Sequence, residues 1–219
     1  MPQVFHPSSN VLSKVSIVGG LIGVAALSGI VFAFNLTYGN KLGVPITQPV
    51  QFSHKHHLAD DGIDCRYCHS SVEKSANAGL PPTETCMTCH SKIWSDSPEL
   101  AVVRESFRTG RPIEWARVHD LPDFVYFNHS IHIRKGVGCV SCHGRVDKMP
   151  LMYKQNTLTM GWCLNCHRNP EMFVRPREHV FDLAWQPEHL DQTASGKKLV
   201  EEYHIMGKQQ LTNCSICHH

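Results

Sequence analysis

The chain has 219 residues, 42% of them hydrophobic, and its 21 lysines and arginines nearly balance 19 aspartates and glutamates. The formal net charge of +2 comes with no basic run and no basic patch interleaved with aromatic residues, so no nucleic-acid partner is expected. Ten cysteines are unusual for a chain of this length, and their spacing indicates the class of protein.

The first predicted element is an apolar helix near the N-terminus. Residues 15–34 read VSIVGGLIGVAALSGIVFAF, an uncharged run of about 20 residues that is long enough to cross a membrane. A cleaved signal peptide is the alternative, but the run is long for such a segment and lacks a small-x-small exit. We therefore expect a cytoplasmic N-terminus over residues 1–14, a transmembrane anchor over 15–38 and a linker over 39–51.

All ten cysteines belong to five copies of the pattern Cys-x-x-Cys-His. Two thiols three residues apart on a helical turn reach the two vinyl groups of one porphyrin, and the adjoining histidine ligates the iron. Structural zinc and a disulfide framework also use paired cysteines, but neither explains a histidine after every second cysteine. The pattern predicts five covalently bound haem c groups. The copies, called motifs 1 to 5 below, are residues 65–69, 86–90, 139–143, 163–167 and 214–218.

Each motif assigns three residues to its haem. The covalent attachment residues would be Cys65, Cys68, Cys86, Cys89, Cys139, Cys142, Cys163, Cys166, Cys214 and Cys217. The proximal iron ligands would be His69, His90, His143, His167 and His218.

Covalent haem attachment takes place on the outer side of the bacterial cytoplasmic membrane. We therefore expect a single-pass protein of that membrane, with its anchor in contact with lipid and a pentahaem domain over residues 52–219 on the periplasmic side. About 180 residues for five haems are too few to build a large protein core around each one. The expected fold is mainly α-helical and irregular: one N-terminal transmembrane helix plus one external haem-packed domain with little sheet.

A duplicated histidine pair precedes motifs 1 and 3. Phe52 starts a Phe-x-His-x-x-His segment before motif 1, and Phe127 starts another before motif 3, which defines modules 52–90 and 127–167. Histidines at i and i+3 lie on neighbouring faces of a helical turn, about 5–6 Å apart, so each can point at a different iron. Each phenylalanine is expected to pack on a porphyrin. The pairs predict four distal iron ligands: His54, His57, His129 and His132.

Two spacer helices are expected outside the modules. Ser97 is a predicted N-cap followed by Pro98, and Leu100, Val103 and Phe107 share one face of a helix that ends at Gly110. Residues 195–206 form the second predicted helix, stopped by Gly207. Residues 112–123 and 169–192 are expected to be loops.

The segment Phe-x-His-x-x-His followed by Cys-x-x-Cys-His resembles the haem-packing unit of the class III cytochromes c. That resemblance implies that His54 ligates the haem of His69 and that His129 ligates the haem of His143. It implies that His57 and His132 cross to other haems.

Taken whole, the sequence resembles the pentahaem cytochrome c subunits of alternative complex III. The resemblance covers nearly the whole chain and includes residues 158–168, LTMGWCLNCHR. It implies that electrons from quinol oxidation in a respiratory or photosynthetic membrane complex pass through the chain to a monohaem cytochrome c or another outer-side acceptor. The implied partners are an iron-sulfur subunit and polytopic quinol-binding membrane subunits.

The fifth distal ligand is open. The resemblance suggests four bis-His haems and one His/Met haem, for which Met149 and Met160 are the leading candidates and Met152 a third. A methionine is more often a packing residue than a ligand. The reserve histidines are His119, His179, His189, His204 and His219.

Two other functions compete with electron relay. A multihaem reductase needs an iron with an open position, often with Cys-x-x-Cys-Lys, and no such motif occurs, so no catalytic site is expected in this chain alone. A free-standing membrane-anchored quinol dehydrogenase needs a haem close to the bilayer and a quinol pocket. The short linker before Phe52 permits the first requirement.

Overall fold

The computed structural model describes residues 5–35, 39, 41–187 and 191–218. Tyr38, the end of the predicted anchor, and the reserve ligands His189 and His219 lie outside the described residues. The chain separates into two compact units, Met1–Leu42 and Gly43–His219.

The first unit consists of one long helix, α1, which spans Ser8–Phe34. It begins before the predicted Val15, so the polar residues Ser8, Ser9 and Asn10 form its first turn. Its 27 residues make a rod about 40 Å long, which is enough to cross the hydrocarbon of a bilayer. None of its side chains is buried, as a membrane anchor requires. Among the described residues, α1 is the one helix long and apolar enough to span a membrane.

The second unit is built from short helices joined by irregular chain. The π-helical segment Lys55–Asp60 follows His54, and short 3-10 turns occur at Pro98–Leu100, Val146–Lys148, Pro170–Met172 and Arg177–His179. Its α-helices are α2 Cys65–Cys68, α3 Thr83–His90, α4 Ala101–Thr109, α5 His129–Arg134, α6 Cys139–His143, α7 Met160–Arg168, α8 Gln192–Glu202, α9 Lys208–Leu211 and α10 Cys214–Cys217.

Within the described ranges the second unit has no strand. Two isolated bridges pair Val125 with His218 and Val137 with Val174. The predicted fold class, mainly helical and irregular with one apolar N-terminal helix, is confirmed.

The apolar core is small and lies beside the cysteine motifs. One cluster joins Val50, Leu100 and Val103 and packs against Cys86 of motif 2. A second joins Val146, Met149 and Leu183 and packs against Cys139 and Val140 of motif 3, among others. Clusters of three buried residues cannot stabilise a unit of this size by themselves, so the fold requires other apolar groups near the motifs.

The spacer helix after motif 2 has the predicted form. The Ser97 side chain accepts a hydrogen bond from the Glu99 N–H, and the helix ends at Gly110, whose φ is +68°. Leu100 and Val103 are buried, but Phe107, predicted on the same face, is half exposed.

The second spacer helix differs from its prediction over residues 195–206. It starts earlier because the Asp191 carboxylate caps α8 by accepting the Ala194 N–H. It ends at Glu202, and Gly207 does not terminate it but precedes α9 as its N-cap.

Candidate haem-binding site

Each Cys-x-x-Cys-His motif begins on a helical turn. Helices α2, α3, α6, α7 and α10 carry motifs 1 to 5 in order. In α2 and α10 the residue before the first cysteine caps the helix: Asp64 accepts the Arg66 N–H and Asn213 accepts the Ser215 N–H. All ten cysteines are free thiols. Across the described ranges, no three His, Cys, Asp or Glu side chains are grouped to hold a metal ion, which structural zinc would require.

Seven of the nine candidate ligand histidines share a contact that orients their rings. In each, Nδ1 lies within hydrogen-bond distance of a backbone carbonyl oxygen, from 2.7 Å at His132 to 3.3 Å at His218. Histidines that bind a metal through Nε2 usually donate the Nδ1 proton in this way, which leaves the Nε2 lone pair free for the metal. The histidines with this contact are His57, His69, His90, His129, His132, His167 and His218.

Three proximal histidines each face a distal histidine across a gap that fits one metal ion. Two imidazoles on opposite sides of one iron have ring centres about 6.3 Å apart, since the metal–nitrogen bond is about 2.0 Å and the ring centre lies about 1.1 Å beyond the nitrogen. The observed separations are 6.1 Å for His57 and His90, 6.3 Å for His129 and His143, and 6.3 Å for His132 and His167.

The phenylalanine of each histidine pair contacts both of its histidines. The ring of Phe52 stacks on His57 at 4.4 Å and meets His54 edge-on at 4.9 Å. Phe127 makes the same two contacts in the second module, each at 4.7 Å. The phenylalanines were predicted to pack on a porphyrin. The structure shows that they also fix the two imidazoles of each pair at different orientations.

The electrostatic surroundings of His54 include two other candidate ligand histidines. Burial, and then the charges of His69 and His57, lower the pKa of His54 to about 4. Its Nδ1 is buried with no hydrogen-bond partner. The larger of these two charge effects comes from His69, the predicted proximal histidine of motif 1. His54 is neutral at pH 7, as an iron ligand must be.

Proximal His143 is partly buried. Burial, and then the charges of His119 and His129, are the main causes that lower its pKa to about 3. It too is uncharged at neutral pH.

The loop over residues 112–123 places His119 against motif 3. The ring centre of His119 is 4.3 Å from that of His143, edge to face, which is too close for the two rings to bind opposite sides of one iron. Its Nε2 is buried without a hydrogen-bond partner, and burial, followed by the Lys154 charge, lowers its pKa to about 4. Sequence reasoning kept His119 in reserve because nothing in the spacing of the loop indicates this contact.

The two leading methionines occupy different surroundings. Met149 is 1% exposed and packs beside Cys139 and Val140 of motif 3. Met160 is 61% exposed and is the first residue of α7, one turn before Cys163. Burial, and then the Cys217 thiol, raise the pKa of Cys163, so this end of α7 lies toward motif 5.

The remaining candidates have other contacts. Met152 packs on the cluster around Met149. The His179 ring stacks on Trp185 at 5.6 Å, and His204 ends a helix with a φ of +49°.

Contacts of the motifs, or of residues that flank or face them, link the motifs in the order 2, 1, 3, 4, 5. The hydroxyl groups of Tyr67 in motif 1 and Thr88 in motif 2 are 2.9 Å apart. The N–H of His129, the histidine that faces motif 3, donates to the Ala76 carbonyl just after motif 1. Helix α5 presents histidines to both motif 3 and motif 4. The Leu211 carbonyl, three residues before motif 5, lies 2.8 Å from Nδ1 of His167 in motif 4.

The residues present fit haem c. Helical cysteine pairs, neutral histidines with oriented rings and facing pairs at the correct separation are the donor set that a hexacoordinate covalent haem needs.

The comparisons with known proteins agree with this donor set. The family model described as cytochrome c7 and related cytochrome c matches residues 50–102 and 125–219. Those ranges contain the five motifs and both histidine pairs, while His119 lies between them. The chain is 36% identical over 143 residues to the menaquinone reductase, multihaem cytochrome c subunit, of Nitratidesulfovibrio vulgaris strain Hildenborough, which covers 56% of this chain and 68% of that protein.

Proposed function

Because the chain belongs to the family of cytochrome c7 and related cytochromes c, we propose that this multihaem cytochrome c carries five haems and relays electrons within a membrane complex of the alternative complex III type. The observation that carries the proposal is the set of three facing histidine pairs at 6.1–6.3 Å. Each pair would hold one haem iron through two histidines, so those sites would transfer electrons and leave no position for a substrate.

Haem c, when bound, supplies an iron that is reversibly reduced and oxidised by one electron. The chain holds it through the ten cysteines and the five proximal histidines. His54, His57, His129 and His132 are the proposed distal ligands of motifs 1, 2, 3 and 4 in that order. The second histidine of each pair therefore crosses to a haem attached more than 30 residues away, at His90 or His167.

For the fifth distal ligand the geometry favours Met160 over Met149. Met149 packs against Cys139, whose neighbour His143 already faces His129. On α7, Met160 lies three residues before Cys163, so the two side chains are on the same side of the helix. The Cys217 thiol acts on Cys163, so this end of α7 lies toward motif 5. We assign Met160 to the iron that His218 would hold, because the four distal histidines are assigned to the other irons.

We propose that α1 anchors the chain in the bacterial cytoplasmic membrane, with the N-terminus cytoplasmic and residues 52–219 periplasmic. The order of contacts makes motifs 2 and 5 the two ends of the relay. Partner subunits that bind quinol, an iron-sulfur subunit, and a monohaem cytochrome c or another outer-side acceptor would meet the chain near these ends.

A second direction of transfer is favoured by the relative from Nitratidesulfovibrio vulgaris, which is named as a menaquinone reductase subunit. In that direction the chain delivers electrons toward a quinone. Both directions use the same sites and the same membrane partners, and they differ only in which end of the relay is reduced first.

The decisive experiment compares the lone subunit with its native membrane complex. With menaquinol as donor, haem reduction followed by visible absorbance is expected in the complex and not in the purified lone chain, because α1 contains no ionisable side chain beyond Lys14 to take protons from quinol. Reduction of the lone chain at the rate of the complex would instead support a free-standing quinol dehydrogenase. Oxidation of the dithionite-reduced complex by menaquinone measures the reverse direction.

A further inference from the structure

Arg175 is the one buried charged side chain in the part of the chain that the structure describes. It is 8% exposed, and its Nε has no hydrogen-bond partner. One terminal nitrogen donates to the Asp182 carbonyl at 3.1 Å, and the guanidinium stacks over Trp185 at 4.9 Å. The ion pairs of the described residues do not include it. An unpaired buried charge is costly, and a guanidinium stays protonated even when buried.

The backbone around Arg175 holds the guanidinium beside the start of motif 3. Its N–H donates to the Gly136 carbonyl at 2.8 Å, and the bridge between Val137 and Val174 continues this contact. A Cβ atom on Gly138 would lie 2.5 Å from the guanidinium carbon. Any larger residue at 138 would therefore force the guanidinium away from its present position beside Gly138.

The carboxylates nearest to this cation are engaged elsewhere. Asp182 accepts the N–H groups of Ala184 and Trp185 at 2.9 and 3.0 Å and lies 3.8 Å from His179. Asp64, on the other side of Cys139, is bound through both oxygens by Arg66. A second cation, Lys154, acts on His119, whose ring contacts His143 of the same motif. Asp182 keeps its negative charge and acts on Arg175 from a distance, but among the described residues neither Arg175 nor Lys154 forms a direct ion pair.

We propose that Arg175 tunes the reduction potential of the haem held at motif 3. Its fixed positive charge raises that potential above the value that the two histidine ligands alone would give. The inference rests on the proposed function, because it requires haem at Cys139 and Cys142. An oxidised haem iron carries one more positive charge than a reduced one, so a nearby cation in a medium of low dielectric constant disfavours oxidation. Motif 3 is the middle position in the order of contacts. A raised potential would make its haem a favoured site for an electron between the two ends of the relay.

The test marks this one haem and then removes the charge. His129→Met places a thioether opposite His143, so the near-infrared sulfur-to-iron band of the oxidised protein reports the motif 3 haem. The band intensity that His129→Met adds to the wild-type spectrum is followed in a potentiometric titration, which gives the midpoint potential of this haem. The midpoint is compared between His129→Met and the double variant His129→Met with Arg175→Gln, using the full chain purified with its complex. We expect the midpoint to fall when the charge is lost and to stay when Arg175→Lys keeps it.

Two further variants decide the interpretation. Arg175→Met is a second neutral replacement that keeps the apolar packing of the stem if the glutamine variant does not fold. Arg108→Gln, which removes an exposed arginine paired with Glu105 on α4, is the matched control and is expected to leave the midpoint unchanged. An unchanged midpoint in the neutral variants, or an equal fall in Arg175→Lys, overturns the inference. The intact mass separates this failure from that of the proposed function, because loss of one haem mass would mean that motif 3 carries no haem.

Discussion

Replacing both members of a facing histidine pair by methionine tests whether they bind one iron. The ring centres of His57 and His90 are 6.1 Å apart, close to the roughly 6.3 Å expected for two imidazoles on one iron. Each single variant, His57→Met or His90→Met, is expected to add one His/Met haem and one unit of near-infrared band above wild type. In the double variant both thioethers fall on the same iron, so the increment stays below the two units that independent irons would give.

The control pair is His57→Met with His69→Met. His69 belongs to motif 1, which is nearer to His57 in the sequence, and it is the proposed proximal ligand of a different iron. Its double variant is therefore expected to show an increment of about twice the single one, because two different irons are changed. The assay is near-infrared absorption of the oxidised protein, normalised to covalent haem content by mass. Two full units in His57→Met with His90→Met, and fewer in the control pair, would refute the crossed assignment.

Three further expectations have simple measurements. Intact mass after acid extraction should exceed the polypeptide by five haem masses, and four or fewer would contradict the count. Met160→His should abolish the near-infrared band of the wild-type protein, while Met149→Leu should keep it; a band lost with Met149→Leu would reverse the assignment. Met149→Ala should lower the free energy of unfolding by about 2–5 kcal/mol, because the Met149 side chain is fully packed. Gly136→Ala should destabilise the protein in denaturant titrations by at least about 1–2 kcal/mol, because its φ is +77° and a Cβ atom would lie 2.5 Å from the Arg175 carbonyl; Gly161→Ala, with open space around it, is the control and should be neutral or slightly stabilising.

The local features of the candidate site could be predicted because they are encoded within a few residues. The helical turns of the motifs follow from the Cys-x-x-Cys-His spacing, and the Ser97 cap and Gly110 end follow from turn chemistry. The Phe-x-His-x-x-His segments indicated two histidines with different targets. In each case the residues concerned are close together in the sequence, so their spacing along the chain sets their relative positions in the structure.

The features that the sequence did not indicate depend on contacts between distant segments. Nothing within the loop over residues 112–123 reveals that His119 packs on His143, and nothing near Arg175 reveals that Gly138 accommodates it. The predicted start of the second spacer helix at Ser195 is also wrong, because Asp191 caps α8 through the Ala194 N–H. Apolar periodicity, the usual signal for long-range packing, is weak here since the described core has few buried residues.

Under the proposed assignment, the crossed histidine pairs explain how so small a core can hold motifs in a fixed order. Two histidines three residues apart, as in His129 and His132, belong to one turn, so the two irons that they face cannot move apart without breaking that turn. One of each pair faces a motif nearby in sequence and the other a motif more than 30 residues away, so the ligands themselves close the loops of the chain. Stability and the distance between neighbouring irons then depend on the same side chains. It follows that loss of a crossing ligand such as His132 should weaken the fold and interrupt the relay together.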